Sequence, residues 1–479
     1  MSILDATKAM GPQDEAAFQE ASDYFLQWFL RHDGATISPK IMLVDMRSRG
    51  AGRGIVALAD IEEDEEIFST PREAILTIET SKLDKEIPGI LDGLDTWLAL
   101  ILVMVYEYLK GEKSNWKPYF DILPEQFDTL MYWSAEELDL LQASAVVEKI
   151  GMEEANEQFR KHIVPRTKSM IRCIPRTTVK FEDANFDIKT LQLAHRMGSL
   201  ILAYAFDLEK DRDGSSSEEG DDGYATDEDE PEVPNKGMIP LADMLNADAD
   251  RNNARLFHEE LSLTMRALKP IKHGEEVFND YGPLPRSDLL RRYGYVTKEY
   301  AQYDVVELSK DLIVSACRTI RDLDTHDFNA RTEHLLEHGL LDDAYDLCYD
   351  FQSHTVFPED LLVVVNTLLL PENIYTTRYA ERALPKPKLE QTTVMALSWT
   401  LEHRLEQYET SIEEDEALLK EESTGRREMA IEVRLGEKRI LREGLQELRA
   451  TISTPSDLNT LKRGPGEGAS HSPKSAKMA

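Results

Sequence analysis

The stretch from Gly237 to Tyr295 constrains the fold more than any other part of this chain. It reads GMIPLADMLNADADRNNARLFHEELSLTMRALKPIKHGEEVFNDYGPLPRSDLLRRYGY. A short apolar run, MIPLADML, ends in Asn246 and a polar loop. ARLFHEELSLTMRALKP alternates apolar and polar residues around Glu259-Glu260, which predicts a hairpin. IKHGEEVFNDYGPLP predicts a turn at His273-Gly274, a strand EEVF and an exit through Asn279-Asp280-Tyr281-Gly282. SDLLRRYGYV then reads as a helix with Ser287 as its N-cap. A tyrosine at a strand end is ordinarily a core residue with a bonded hydroxyl. The order seen here is more particular: an Asn after LADML, then N-x-Y-G, then a second Tyr-Gly after a LLRR helix.

The rest of the chain supplies a frame for this stretch. Residues 14–31 place Phe18, Tyr24, Phe25, Trp28, Phe29 and Leu30 largely along one helical face, and Gly34 ends the pattern. Gly50-x-Gly52-x-Gly54 looks like part of a dinucleotide-binding loop, but that motif requires a helix immediately afterwards. The residues that follow, GIVALADI, an acidic turn and EEIFSTP, spell strand, turn and strand. The nucleotide reading therefore fails. From about Leu91 to Tyr204 the pattern turns helical, including DTWLALILVMVYEYLK, SAEELDLLQASAVVEKI, EEANEQFRKHIVPRTKSMI and FDIKTLQLAHRMGSLILAYAF. His195, alone among apolar neighbours, reads as a core histidine. Residues 207–235 are acidic and almost free of apolar side chains, so they cannot offset the entropy of ordering and read as a disordered loop. Ser215, Ser216 and Thr226 in it precede acidic residues, a pattern compatible with acid-directed phosphorylation. Beyond Tyr303 long helical patterns return, with Leu401, Leu405, Tyr408 and Ile412 on one stripe.

Composition narrows the function. A formal net charge of -35 disfavours nucleic acid as the direct ligand and suits a basic protein partner. Cys173, Cys317 and Cys348 lie far apart, which predicts neither a disulfide framework nor a metal cluster. No apolar run approaches the length of a membrane span, and the N-terminal residues lack a signal-peptide core, so neither membrane insertion nor secretion is expected.

GRGIVALADIEEDEEIF and the Gly237–Tyr295 stretch together resemble SET-domain protein-lysine methyltransferases. They are closest to the Rubisco large-subunit methyltransferase branch, in particular fungal ribosomal-protein methyltransferases. The resemblance implies an α+β fold: a SET β-fold over residues 15–300 with a helical insertion at about 91–205. A helical, all-α substrate-binding domain over 301–452 and a disordered tail over 453–479 follow, the tail's few basic residues being a nuclear-import candidate. It implies S-adenosylmethionine as methyl donor and no metal. Tyr281 corresponds to the catalytic tyrosine. Ala51, Gly52, Arg53, Tyr204, Asn246, Ala247 and Tyr293 correspond to donor-binding positions. Trp97, Asp243 and Ala249 correspond to substrate-binding positions. The family has Asn-His where this chain has Asn246-Ala247. The expected partner is a basic protein, ribosomal or else nuclear and chromatin-associated, bound by a monomer with no direct nucleic acid or membrane contact. The expected compartment is the nucleus, with the cytoplasm as an alternative. A non-catalytic SET-fold adaptor is the rival of another class.

The chemistry implied is specific. A free lysine has a pKa near 10.4, so neutralising it at pH 7 costs about 4–5 kcal/mol. An aromatic channel assists by penalising the ammonium. A phenol with a pKa around 10 is a poor base, so Tyr281 is expected to align the amine rather than deprotonate it.

Overall fold

The structure, a computed structural model, describes residues 12–47, 51–174, 184–208, 235–321, 325–380, 383–421 and 424–453. The expectations for residues 209–234, including Ser215, Ser216 and Thr226, and for the tail from 454 lie outside the described residues. Two compact units emerge. One runs to Asp304 and takes in Glu421–Val433; the other holds Val305–Lys420 and the chain from Arg434.

The first unit carries the strands β1 (Thr36–Ile37), β2 (Ile41–Asp45), β3 (Arg53–Ala57), β4 (Glu66–Pro71), β5 (Ala205–Leu208), β6 (Asn235–Met238), β7 (Ala254–His258), β8 (Ser262–Ala267) and β9 (Glu276–Val277). They pair antiparallel in a four-stranded sheet of order β1-β4-β8-β7, a three-stranded sheet of order β2-β3-β9, and the β5-β6 ladder. The expected hairpin is β7-β8, with Leu256 opposite Met265. Alternation sets its faces: Leu263, Met265 and Ala267 are buried, whereas Phe257 is exposed. Gly52 leads into β3 and Gly54 lies within it, so a strand and not a helix follows, as the β-branched run dictates.

Around these sheets lie α1 (Pro12–Phe29), α2 (Thr96–Lys110), α3 (Phe186–Tyr204) and α4 (Arg286–Tyr293). Phe25, Trp28 and Phe29 of α1 enter the core, but Tyr24 and the following Leu30 are exposed. The apolar stripe is therefore narrower than the aromatic count implies. Asp95 caps α2 by accepting from the Leu98 amide at 2.8 Å, and the helix is buried along nearly its whole length. The helix expected over 134–150 is instead a short turn from a Ser134–Glu137 capping box followed by two 3-10 segments. Gln142, at φ +53°, breaks it. The next expected helix is continuous but opens into a π turn at Phe159–Ile163, just before Pro165, which has no N–H to give the ladder.

The second unit is helical: α5 (Lys310–Ile320), α6 (Thr325–Glu337), α7 (Glu359–Leu369), α8 (Glu372–Ala380), α9 (Gln391–Glu406) and α10 (Ile412–Lys420). The last helix, α11 (Arg426–Ser453), gives its first turns to the first unit and the rest to the second. Leu361, Val365, Leu397, Leu401 and Leu441 are fully buried in the second unit. One antiparallel ribbon interrupts the helices, β10 (Val306–Ser309) with β11 (Ala344–Leu347). The helical pattern of RTEHLLEHGLLDDAYDLCY predicts a helix running through β11. Gly339, at φ +66°, ends that helix first.

Candidate active site

The apolar segment after β6 passes through a sharp turn. Leu241 sits at φ +77° and ψ -39°, a left-handed geometry that costs a branched residue of order 1–3 kcal/mol. A single 3-10 turn, Ala242–Met244, follows and buries Asp243. The chain then runs beside the exit of β9: the Asn279 amide donates to the Asn246 carbonyl at 2.9 Å, and Asp248 N donates to Asn279 O at 3.1 Å. Ala247 pairs with Asn279 in a parallel bridge. This pairing sets Asn246 and Ala247 beside the strand end two residues before Tyr281. The Asn246 side chain donates to Glu276 Oε1 at 2.7 Å and lies 3.6 Å from Met46 Sδ. Asp248, a buried residue the sequence did not single out, holds the next turn by accepting from the amides of Asp250 and Arg251. Ala249 is half-buried in that turn.

Tyr281 and Tyr293 come together. Their rings stack 4.1 Å apart and 7° from parallel, with Tyr295 next at 6.3 Å from Tyr293. Burial drives the Tyr281 phenol well above its ordinary range, and the phenols of Tyr295, Tyr293, Tyr204 and Tyr300 add to the shift. Tyr281 is therefore a neutral hydroxyl at physiological pH. Burial, then the field of Asp243, pushes Tyr204 at the end of α3 up to about 12.

Two backbone devices hold this cluster. Ser287 does not cap α4; Pro285 occupies the N-cap, and the Arg286 amide donates to Asp304 Oδ1 at 3.2 Å. The same carboxylate receives the Arg286 side chain through Nε at 3.1 and 3.0 Å, and Arg286 also pairs with Glu432. At the other end Gly294, φ +78°, closes α4 directly after Tyr293. A Cβ there would meet the backbone of Asp128 and Thr129 at 2.8 Å. Arg426 fixes that backbone, bonding the Asp128 carboxylate at 3.0 Å and the Tyr132 carbonyl at 3.0 Å. Gly294→Ala should lower unfolding free energy by about 1–3 kcal/mol from the left-handed backbone alone, before the clash is counted. Urea unfolding of the two proteins measures it.

The glycine-rich turn lies against the same region. Gly54 has no room for a side chain: a Cβ would lie 2.5 Å from Met46 Sδ and 3.0 Å from Asn246 Nδ2. Gly52 borders open space. The Arg53 side chain turns inward: Nε donates to Ser22 Oγ at 3.1 Å, Nη1 to the Ile122 carbonyl at 2.7 Å, and the guanidinium lies 3.8 Å from the Phe18 ring centre. Burial, then the nearby Arg47, brings Arg53 down to about 10. The Asp243 carboxyl receives the Tyr119 phenol on Oδ2, while its Oδ1 has no hydrogen-bond partner. Burial pushes Asp243 up to about 7, although the Tyr119 bond, the amides of Asp243 and Leu241 and the field of Arg53 all pull the other way.

Trp97 stands apart from the tyrosines. It stacks on Phe159 at 5.6 Å and lines a cavity of about 50 Å³ with Met131, His195, Ser199, Leu202 and Arg291, among others. His195 bonds Asn156 Oδ1 at 2.8 Å and packs edge-on to Phe159, the satisfied histidine its neighbours had implied. Among the described residues no group of three or more His, Cys, Asp or Glu could hold a metal. No helix among them is long and apolar enough to cross a membrane.

Gly52 borders open space, the Asn246 amide beside this turn is bonded to the Glu276 carboxylate, and the Arg53 cation is turned away. Comparison with known proteins identifies the family. The SET domain pattern matches residues 52–282, and the Rubisco LSMT substrate-binding pattern matches residues 324–441. Ribosomal lysine N-methyltransferase 4 of Saccharomyces cerevisiae is 35% identical, over 72% of this chain and 71% of that one. Its Schizosaccharomyces pombe namesake is 30% identical, over 69% and 77%. N-lysine methyltransferase SETD6 of Rattus norvegicus is 27% identical over 91% and 92%. The fold matches the SET domain of LSMT bound to lysine and AdoHcy with a TM-score of 0.65 at 20% identity, covering 91% of this chain and 92% of that one. The chain belongs to the SET-domain protein-lysine N-methyltransferases with a Rubisco LSMT substrate-binding domain, enzymes that take the methyl group from S-adenosylmethionine.

Proposed function

We propose that this enzyme methylates a lysine of a basic ribosomal protein of the large subunit, and that it works in the nucleus. The observation that carries the reading is the similarity to the Saccharomyces relative, which is named for ribosomal lysine methylation. The net charge of -35 supports a basic substrate. When bound, S-adenosylmethionine supplies an electrophilic methyl group on a sulfonium. Ala51, Gly52, Arg53, Asn246, Ala247, Tyr204 and Tyr293 hold that donor, Arg53 through its backbone because its side chain is committed inward. Ala247 contributes an amide where the family has an imidazole. Tyr281, neutral and half-buried, orients the lysine amine, and the surrounding rings disfavour the ammonium. Asp243, Ala249 and Trp97 lie toward the substrate.

The longer match to the N-lysine methyltransferase SETD6, across 91% of the chain, supports methylation of a protein lysine without naming the ribosome, and the alternative we carry is a nuclear, chromatin-associated substrate. One experiment separates them. Purified enzyme, radiolabelled S-adenosylmethionine and an extract of cells lacking the enzyme are fractionated into ribosomes and chromatin. A single labelled ribosomal band, absent with Tyr281→Phe, is expected. Label confined to the chromatin fraction would replace the ribosomal reading with the nuclear one.

A further inference from the structure

The segment from Phe127 to Glu137 has no ladder of its own. It holds one 3-10 turn, Leu130–Tyr132, and the first turn after the Ser134 cap, so its other carbonyls need partners from elsewhere. Arg426, the first residue of α11, supplies them from the same unit. Its Nη1 donates to the Tyr132 carbonyl at 3.0 Å and to Glu137 Oε2 at 2.8 Å. Nη2 donates to Asp128 Oδ1 at 3.0 Å and to the Phe127 carbonyl at 3.4 Å, and Nε reaches the same Asp128 oxygen at 3.1 Å. A rigid planar fork can serve four residues at once in this way, and the point charge of an ammonium cannot. Glu137 Oε2 also accepts from the Ser134 amide at 2.8 Å, so the cap and the guanidinium share one anchor. Leu130 and Trp133 of the segment share a buried cluster with Leu290 of α4 and with Ala430 and Val433 of α11. The segment is therefore fixed against both helices.

Two parts of the site lean on this segment. The Asp128–Thr129 peptide fills the space where Gly294, directly after Tyr293, carries no side chain; a Cβ there would lie 2.8 Å from Asp128 C and Thr129 N. The contact is backbone on backbone, so no rotamer lies between to absorb a displacement. Tyr293 in turn stacks on Tyr281 at 4.1 Å. Thr129 and Met131 of the same segment line the cavity beside Trp97. We infer that Arg426 is a positioning residue for methyl transfer. It acts through Phe127–Glu137 and not on the reacting atoms, setting the Tyr281–Tyr293 stack and the wall beside Trp97 together. The inference rests on the roles given above to those three aromatic residues.

The full chain labelled with 3-fluorotyrosine tests this without any ligand. The fluorine signals of Tyr281 and Tyr293 are assigned by their loss in Tyr281→Phe and Tyr293→Phe. In Arg426→Gln both should shift or broaden, because each ring lies in the ring current of the other. Tyr375 and Tyr408, in the second unit, should keep their positions. Arg426→Lys, which keeps the charge without the fork, should displace the same two signals, and it is the second variant should Arg426→Gln fold poorly. Urea unfolding fixes the conditions in which each variant is fully folded. Under them the single-turnover rate at saturating donor is read with radiolabelled S-adenosylmethionine and ribosomal proteins from cells lacking the enzyme. It should fall by about 10–10², the scale of a small misplacement of reacting groups. A role confined to stability would lower the unfolding midpoint and leave the two signals and the rate of the folded protein at wild type. That result overturns the inference, as does equal displacement of all tyrosine signals or full recovery in Arg426→Lys. If the wild type labels no ribosomal protein, the ribosomal reading fails, and the fluorine signals still decide the role of Arg426.

Discussion

Tyr281→Phe should lower the single-turnover rate of methyl transfer by about 10²–10³, the usual cost of deleting one aligned donor from a reaction site. The affinity for S-adenosylmethionine and the unfolding midpoint should stay within error of wild type. The separation is sharp because the substitution removes only the hydroxyl. The ring that stacks on Tyr293 at 4.1 Å remains, so packing and the exclusion of water survive. The pH profile supplies a second check. Burial holds the Tyr281 phenol well above its ordinary range, so its ionisation contributes no limb between pH 6 and 9. The rising limb that belongs to lysine neutralisation should persist in the Phe variant at reduced height. A variant that lost donor affinity in proportion to rate would move Tyr281 from orienting the amine to supporting the donor pocket.

The largest effect on stability should come from Arg286→Ala, a loss of about 3–5 kcal/mol in the unfolding of the first unit. Arg286 is 2% exposed, and it joins Asp304, 7% exposed, to Glu432. Removing the cation leaves two carboxylates out of water without a counter-ion, Asp304 keeping only the backbone amide at the start of α4. The pH dependence follows from the sign of the Asp304 shift. Burial already raises its pKa in the wild type, with Arg286 opposing. Without Arg286 the folded-state pKa rises further above the unfolded value, so the folded form binds the extra proton and stability is lost as pH rises. The deficit of Arg286→Ala should therefore narrow as pH falls from 7 toward 5. Guanidinium unfolding at those two pH values tests both statements. A pH-independent deficit would mean that lost packing, not lost charge, is responsible.

Much of this was legible in the residues because it was local. The alternation of ARLFHEELSLTMRAL could only be satisfied by a hairpin with one buried face. The Tyr-Gly after LLRR carries its own reason, since Gly294 ends α4 in a conformation and a space that no other residue fits. What stayed hidden depends on contacts between distant segments. Nothing in the spacing links Tyr119 to Asp243, or Asp304 to the start of α4 in place of Ser287. The positive φ of Leu241 has no local signature, because a leucine there is disfavoured. The helix that periodicity predicts across Ala344–Leu347 fails for a simpler reason: Gly339, at φ +66°, is a stop plain in the sequence.

The β5-β6 ladder has a consequence of another kind. Leu208 and Asn235 are partners across it, so the chain leaves and re-enters the first unit at a single clasp. Because the clasp fixes both ends, the entropy of closing the intervening segment grows only with the logarithm of its length, about 0.6 kcal/mol for each doubling. Lineages can therefore lengthen, shorten or recharge this insert almost without thermodynamic penalty. Differences in length and charge between orthologues are therefore expected to concentrate between Leu208 and Asn235, which an alignment of orthologues would check.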